Sequence, residues 1–252
     1  MLTDEQLLSE ATKVIEAVEQ VGLPARLMGA VAIRLTCSNA AEIYDRLGRQ
    51  LSDIDLMAYW KVSGQLESLL NRLGYFQDRR IVAFHEVQRN FYTHKDLGIK
   101  LDVFFDKLKM CHEIDFTGRL ELHPKTITLT DLFLEKIQIV KISEKDIKDL
   151  IVLLKCVDLT EDEEGINVKY IADRMSWDWG FYYTTTINLN KVKEFLQKYS
   201  DKLREDEMKL VKERIALISA AIESKPKSAK WRFRAKIGPA VKWYNEVEDL
   251  IR

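Results

Sequence analysis

Asp53 and Asp55 lie two residues apart in RQLSDIDLMAYW (49–60), a stretch whose other residues read as a buried β-strand. Alternate residues of a strand project to one face, about 7 Å apart. The two carboxylates therefore point together while Ile54 and Leu56 pack away. Bare carboxylates that close repel, and one of them would have its pKa raised. A divalent cation removes the conflict: magnesium takes oxygen ligands and binds one or two carboxylates together with the phosphates of a substrate. Asp102, in KLDVFF, is a third acid among large apolar neighbours. If its strand lies beside the first, three acids converge, and such a set can hold two cations about 4 Å apart, an arrangement that assists in-line phosphoryl displacement. The alternative is that Asp53 caps a turn and that Asp55 and Asp102 occupy exposed strand positions. Gly29, in LMGAVAI, bears on the choice. It falls where a strand turns into a helix, a place where backbone N–H groups can meet a phosphate, although a glycine there also serves a tight connection. Glycine turn, D-x-D strand and later strand aspartate, in that order, favour the chemical reading.

Those residues need elements to hold them. Residues 3–21 repeat apolar positions at helical spacing, with Thr3 as N-cap and Gly22 as stop. LPARLMGAVAIRL reads as a short strand breaking at Gly29 into a helix. SGQLESLLNRLGY is a second amphipathic helix, and EVQRNFYTH and GIKLDVFFD form a β-hairpin around KDL. GRLELHP adds an edge strand. From Thr130 onward the pattern is helical, over 131–141, 144–157, 166–175, 188–199 and 203–223. The expectation is an α+β chain: a small mixed sheet with flanking helices over 1–129, then an all-α region over 130–252. The hairpin must pair antiparallel, so the sheet is mixed.

This order of motifs resembles the nucleotidyltransferase fold shared by DNA polymerase β, aminoglycoside nucleotidyltransferases and the nucleotidyltransferase toxins of abortive-infection systems. The resemblance covers roughly residues 20–155, through DLFLEKIQIVKISEKDIKDLIVLL, which looks like the helical segment of the toxin-like branch. There a lysine lies on one helix and a basic–acidic cluster opens the next, here Lys136 and Lys145-Asp146 with Asp149. The resemblance implies a nucleoside triphosphate and two Mg²⁺ ions, with Mn²⁺ as substitute. It implies attack of an acceptor hydroxyl, of RNA, protein or a small molecule, on the α-phosphate and release of pyrophosphate. Asp53 and Asp55 would hold both metals, and Asp102 would complete the one near the attacking oxygen and help to accept its proton. Gly29, Ala30, Lys136 and Lys145 would bind the nucleotide. Ala30 departs from the family, which has Gly or Ser at that position; a serine hydroxyl would contact the triphosphate, and alanine keeps only its backbone N–H.

Other residues admit two accounts each. Lys136 sits in a helix that is apolar over most of its circumference, and either snorkels to water or reaches the triphosphate as a point charge. Ser143 and Asp146 fit a capping box, which explains Asp146 as well as catalysis does. His85 and Arg89 either face the nucleotide or belong to surface and packing. Cys111-His112, adjacent and without a partner pair, make a poor zinc site. Between 225 and 243 lie Lys225, Lys227, Lys230, Arg232, Arg234, Lys236 and Lys242, interleaved with aromatics and without an acid. Such a segment suits an RNA acceptor through phosphate contact and stacking, or it docks by its rings with the cations facing water.

The 252 residues carry a formal net charge of -1, so no global field draws the chain to nucleic acid or membrane. Three scattered cysteines (Cys37, Cys111, Cys156) fit a reducing compartment. No apolar run approaches the ~20 residues of a membrane span, and the amphipathic, acidic N-terminal stretch is unlike a signal peptide. A cytoplasmic protein is expected. The class that competes with an enzyme is a non-catalytic nucleotide- or partner-binding module, for instance one component of a toxin–antitoxin pair.

Overall fold

A computed structural model describes residues 3–78 and 89–247. In chain order its principal elements are α1 (Asp4–Gln20), β1 (Ala25–Met28), α2 (Gly29–Thr36), α3 (Ala41–Leu47), β2 (Ile54–Ala58), α4 (Ser63–Arg72), β3 (Tyr75–Gln77), β4 (Arg89–His94) and β5 (Lys100–Phe105). The short strands β6 (Lys107–Lys109) and β7 (Glu113–Asp115) follow, then α5 (Leu129–Ile137), α6 (Glu144–Cys156), β8 (Leu159–Thr160) and β9 (Ile166–Asn167). The chain closes with α7 (Val168–Trp177), α8 (Trp179–Lys198), α9 (Glu205–Ser224) and α10 (Ala229–Ile237). The class is α+β, with a small mixed sheet and a helical remainder. Among the described residues, no helix is long and apolar enough to cross a membrane.

Two compact units share the chain. The first comprises Met1–Ser38, Gln50–Leu108 and Asp115–Thr128; the second comprises Asn39–Arg49, Lys109–Ile114 and Leu129–Arg252. Two internal segments, 39–49 and 109–114, thus go with the helices that follow 128.

The first unit is built on a five-stranded sheet in the order β1-β2-β5-β4-β3. β2 and β5 run parallel, and the other neighbouring pairs are antiparallel. β5 lies at the centre and is buried from Leu101 to Phe105, as a strand covered on both faces must be. α1 begins at a capping box: the Thr3 hydroxyl accepts from the Gln6 N–H (3.2 Å), and the Gln6 side chain accepts from the Thr3 N–H (2.9 Å). Its face of Leu7, Ala11, Val14, Ile15 and Val18 is buried. The hairpin of β4 and β5 forms as the sequence indicates, over its described residues. GRLELHP does not form a strand. Arg119 N–H donates to the Phe116 carbonyl and Leu122 N–H to that of Arg119, so the backbone pairs locally in turns, and Pro124 has no N–H to give a ladder. Just beyond it, a parallel bridge joins Thr126 to Leu27 of β1.

In the second unit, α6 packs on α5 and α9, and α9 packs on α7. Side-chain caps fix the helix starts: Ser143 accepts from the Asp146 N–H, Asn167 from that of Tyr170, and Asp178 from that of Phe181. The last of these starts α8 at Trp179, nine residues before the position 188 that its periodicity indicates. The reason is the run Thr184-Thr185-Thr186, whose weak helix propensity hides the helix. Burial of Phe181, Thr184 and Thr185 overrides it. His112 is stacked on Phe181 at 4.9 Å between ring centres, with its Nε2 2.8 Å from the Thr184 hydroxyl. Burial, with Arg174 adding to it and Asp178 opposing, holds its pKa down to about 4, so it is neutral at pH 7.

Candidate active site

Strand register brings two of the three acids, Asp55 and Asp102, to one face. Asp55 pairs with Met28 in the antiparallel direction and with Asp102 in the parallel one. Registered neighbours project to the same side, so Asp55 and Asp102 stand beside each other. Asp53 lies just ahead of β2, outside the paired strand, so the register does not place its side chain. Its Oδ1 accepts from the Ser52 hydroxyl at 2.8 Å. The Leu51 N–H just upstream donates to Asp4 Oδ1 (3.0 Å), which ties this loop to the start of α1. Asp53 and Asp55 are half-buried, whereas Asp102 is 0 % exposed.

Gly29 is the residue after Met28, so it arrives against Asp55. Its φ is +73°, in the left-handed region that L side chains rarely adopt, and a Cβ at this position would lie 2.5 Å from Asp55 Oδ2. Only glycine lets the chain turn from β1 into α2 this close to a carboxylate. Met28 supplies no capping side chain to α2, and the Ala30 N–H lies in the first turn of that helix. Gly29→Ala is expected to lower stability by about 1–2 kcal/mol from backbone conformation alone and to displace the Asp55 carboxylate. A thermal melt and a transfer assay on the same preparation measure both; a Gly29→Ala chain with unchanged melting and activity would refute this account of the turn.

Arg89 completes the cluster. Its guanidinium forms an ion pair with Asp102 Oδ2 and lies over two rings, 4.8 Å from the centre of Phe91 and 4.4 Å from that of Phe104. Among the described residues, no group of three or more histidine, cysteine, aspartate or glutamate side chains is placed to hold a metal ion. The donor chemistry of Asp53 and Asp55 nevertheless fits magnesium, since both offer hard carboxylate oxygens. Asp102 fits less well, because one of its oxygens is given to Arg89.

The basic candidates lie in the second unit. Lys136 contacts Asp146 (3.2 Å) and Asp149 (3.3 Å). Burial works to lower its pKa, but the charges of Asp149, Asp146 and Glu135 outweigh it, and the net direction is upward. Its ammonium is thus satisfied within its own unit. Asp149 also receives Arg49, whose Nε and Nη2 each donate to one carboxylate oxygen at 2.9 Å. Gly48, at φ +61°, ends α3 and sets Arg49 next in the chain. Lys145 is exposed in the first turn of α6. His85 lies outside the described residues. Neither the Arg89 seat nor the Arg49–Asp149 pair follows from spacing, because each joins residues that only strand or helix packing brings together.

No family profile matches the chain, and no curated protein sequence matches it either. Solved structures are similar at low identity, two of them as follows. One is the solution structure of the antibiotic-resistance factor ANT(2'')-Ia, at 14% identity and a TM-score of 0.33, over 87% of this chain and 96% of that one. The other is an antigenic nucleotidyltransferase-like protein from Paracoccidioides brasiliensis, at 13% identity and a TM-score of 0.43, over 91% of this chain and 97% of that one.

Proposed function

We propose that the chain is a magnesium-dependent nucleotidyltransferase that moves a nucleoside monophosphate from a nucleoside triphosphate to an acceptor hydroxyl. The observation that carries this reading is the approach of Gly29 to Asp55, with Asp102 registered beside it. Asp53 and Asp55 would hold the metal, which when bound neutralises triphosphate charge and the charge that develops on the leaving pyrophosphate. The first turn of α2, with the Ala30 N–H, offers backbone donors and the positive helix end to a phosphate. The acceptor oxygen forms a bond to the α-phosphorus, the bond from that phosphorus to the bridging oxygen breaks, pyrophosphate leaves, and the hydroxyl proton passes to solvent or a carboxylate. The chain's part is to position the reactants and compensate their charge.

RNA is the acceptor class favoured by the C-terminal segment. Several of its cations are engaged: Lys225 pairs with Asp173, and Arg234 donates to the carbonyls of Gly238 and Val241 over the Trp179 ring. Lys230, Arg232 and Lys236 face solvent on α10, and they surround Phe233, which is 70 % exposed. A ring for stacking among cations for phosphates suits a single strand. The second reading, a nucleotide-binding module without turnover such as a component of a toxin–antitoxin pair, is favoured by Ala30 and by the hold of Arg89 on Asp102.

The test is to incubate the full chain and Mg²⁺ with total RNA and lysate, using each of the four triphosphates labelled at the α- or the γ-phosphate. The expected result is α-label, and no γ-label, on an RNA. Label from the γ-position would overturn the reaction proposed, and nucleotide binding without transfer to any acceptor would establish the second reading.

A further inference from the structure

Asp102 is fully buried in the central strand, and a carboxylate there requires a compensating positive charge. Two divalent ions would provide it, but the chain already does. In the β4–β5 register, Arg89 is opposite Phe104 and Phe91 is opposite Asp102. Residues two apart share a face, so the four side chains form a square block. One diagonal is the Arg89–Asp102 ion pair, and both rings flank the guanidinium. The arginine is thus seated by charge and by two aromatic contacts.

We propose that Arg89 takes the place of one of the two divalent ions, so that the site binds a single metal through Asp53 and Asp55 while the guanidinium serves Asp102. This inference rests on the reading of Asp53 and Asp55 as metal ligands. It makes Arg89 a positioning residue that keeps Asp102 fixed and closed to a cation. A second divalent ion at Asp102 would have to expel a monovalent cation held on three sides or share its oxygens at close range, and both are electrostatically unfavourable.

The test counts metal directly. Full-length chain is titrated with Mn²⁺, and free ion is read by electron paramagnetic resonance, with circular dichroism as the check on folding. Wild type is expected to bind one Mn²⁺ per chain. Arg89→Gln is expected to admit a second ion, or to tighten its binding at least tenfold, whereas Arg89→Lys, which keeps the charge, retains one. Two ions in wild type would overturn the inference and leave the metal-site reading standing; so would a single ion in a folded Arg89→Gln chain. No ion in either chain would overturn both. Should Arg89→Gln fail to fold, the wild-type count together with Arg89→Lys still decides the matter.

Discussion

Asp55→Asn is expected to reduce nucleotidyl transfer by on the order of 10³-fold or more while leaving the chain folded. Asparagine keeps the shape of the side chain between Gly29 and Asp102 and removes the charge. The register adds a second signature. Like charges directly opposite on neighbouring strands destabilise a sheet, so loss of the Asp55 charge beside Asp102 is expected to leave the melting temperature unchanged or raise it slightly. A residue present for the fold would behave in the opposite way, because its removal lowers stability. Initial rates of α-label transfer and thermal melts, measured on wild type, Asp53→Asn and Asp55→Asn, separate the two. An Asp55→Asn chain that keeps a tenth of the wild-type rate would remove this carboxylate from the catalytic set.

What the sequence made legible follows from the range over which each signal acts. The strand IDLMA, the strand-to-helix turn at Gly29 and the hairpin of β4 and β5 are local patterns, and each has its structural counterpart. The convergence of acids could be stated only as a condition, since the Asp55–Asp102 register depends on pairing between strands far apart in sequence. Arg89 illustrates the limit. Its spacing from Phe91 places both on one strand face, but the partner across the diagonal is chosen by the register. GRLELHP carries strand-like alternation and forms turns, because its backbone groups find local partners first. α8 shows the reverse, a helix through three consecutive threonines that only burial could stabilise. The apolar circumference around Lys136 does signal a helix covered on most sides, yet the two carboxylates that meet its ammonium come from the following helix.

That cluster gives the largest expected effect on stability. Asp149→Ala is expected to cost about 3–5 kcal/mol, the range for removing one partner of a buried ion pair. Asp149 is 0 % exposed, and Arg49 reaches it through two hydrogen bonds of 2.9 Å. Burial alone would lower the Arg49 pKa; the Asp149 hydrogen bonds and charge outweigh it and shift it upward. Without Asp149 the guanidinium stays buried and loses both of those bonds. Lys136 fares better, because Asp146 still holds it at 3.2 Å. Asp146→Ala should therefore cost less, about 1 kcal/mol, although it also loses the bond from the Ser143 hydroxyl. Burial raises the Asp146 pKa, but the charge of Lys136 and the hydrogen bonds from Ser143 and Lys136 hold it below the usual range. Its contribution is consequently complete at neutral pH and lost as pH falls through the carboxylate range. Urea denaturation of both variants at pH 7 and pH 4 tests the ordering. Equal losses for Asp149→Ala and Asp146→Ala at pH 7 would mean that the Arg49 fork is not what stabilises this unit.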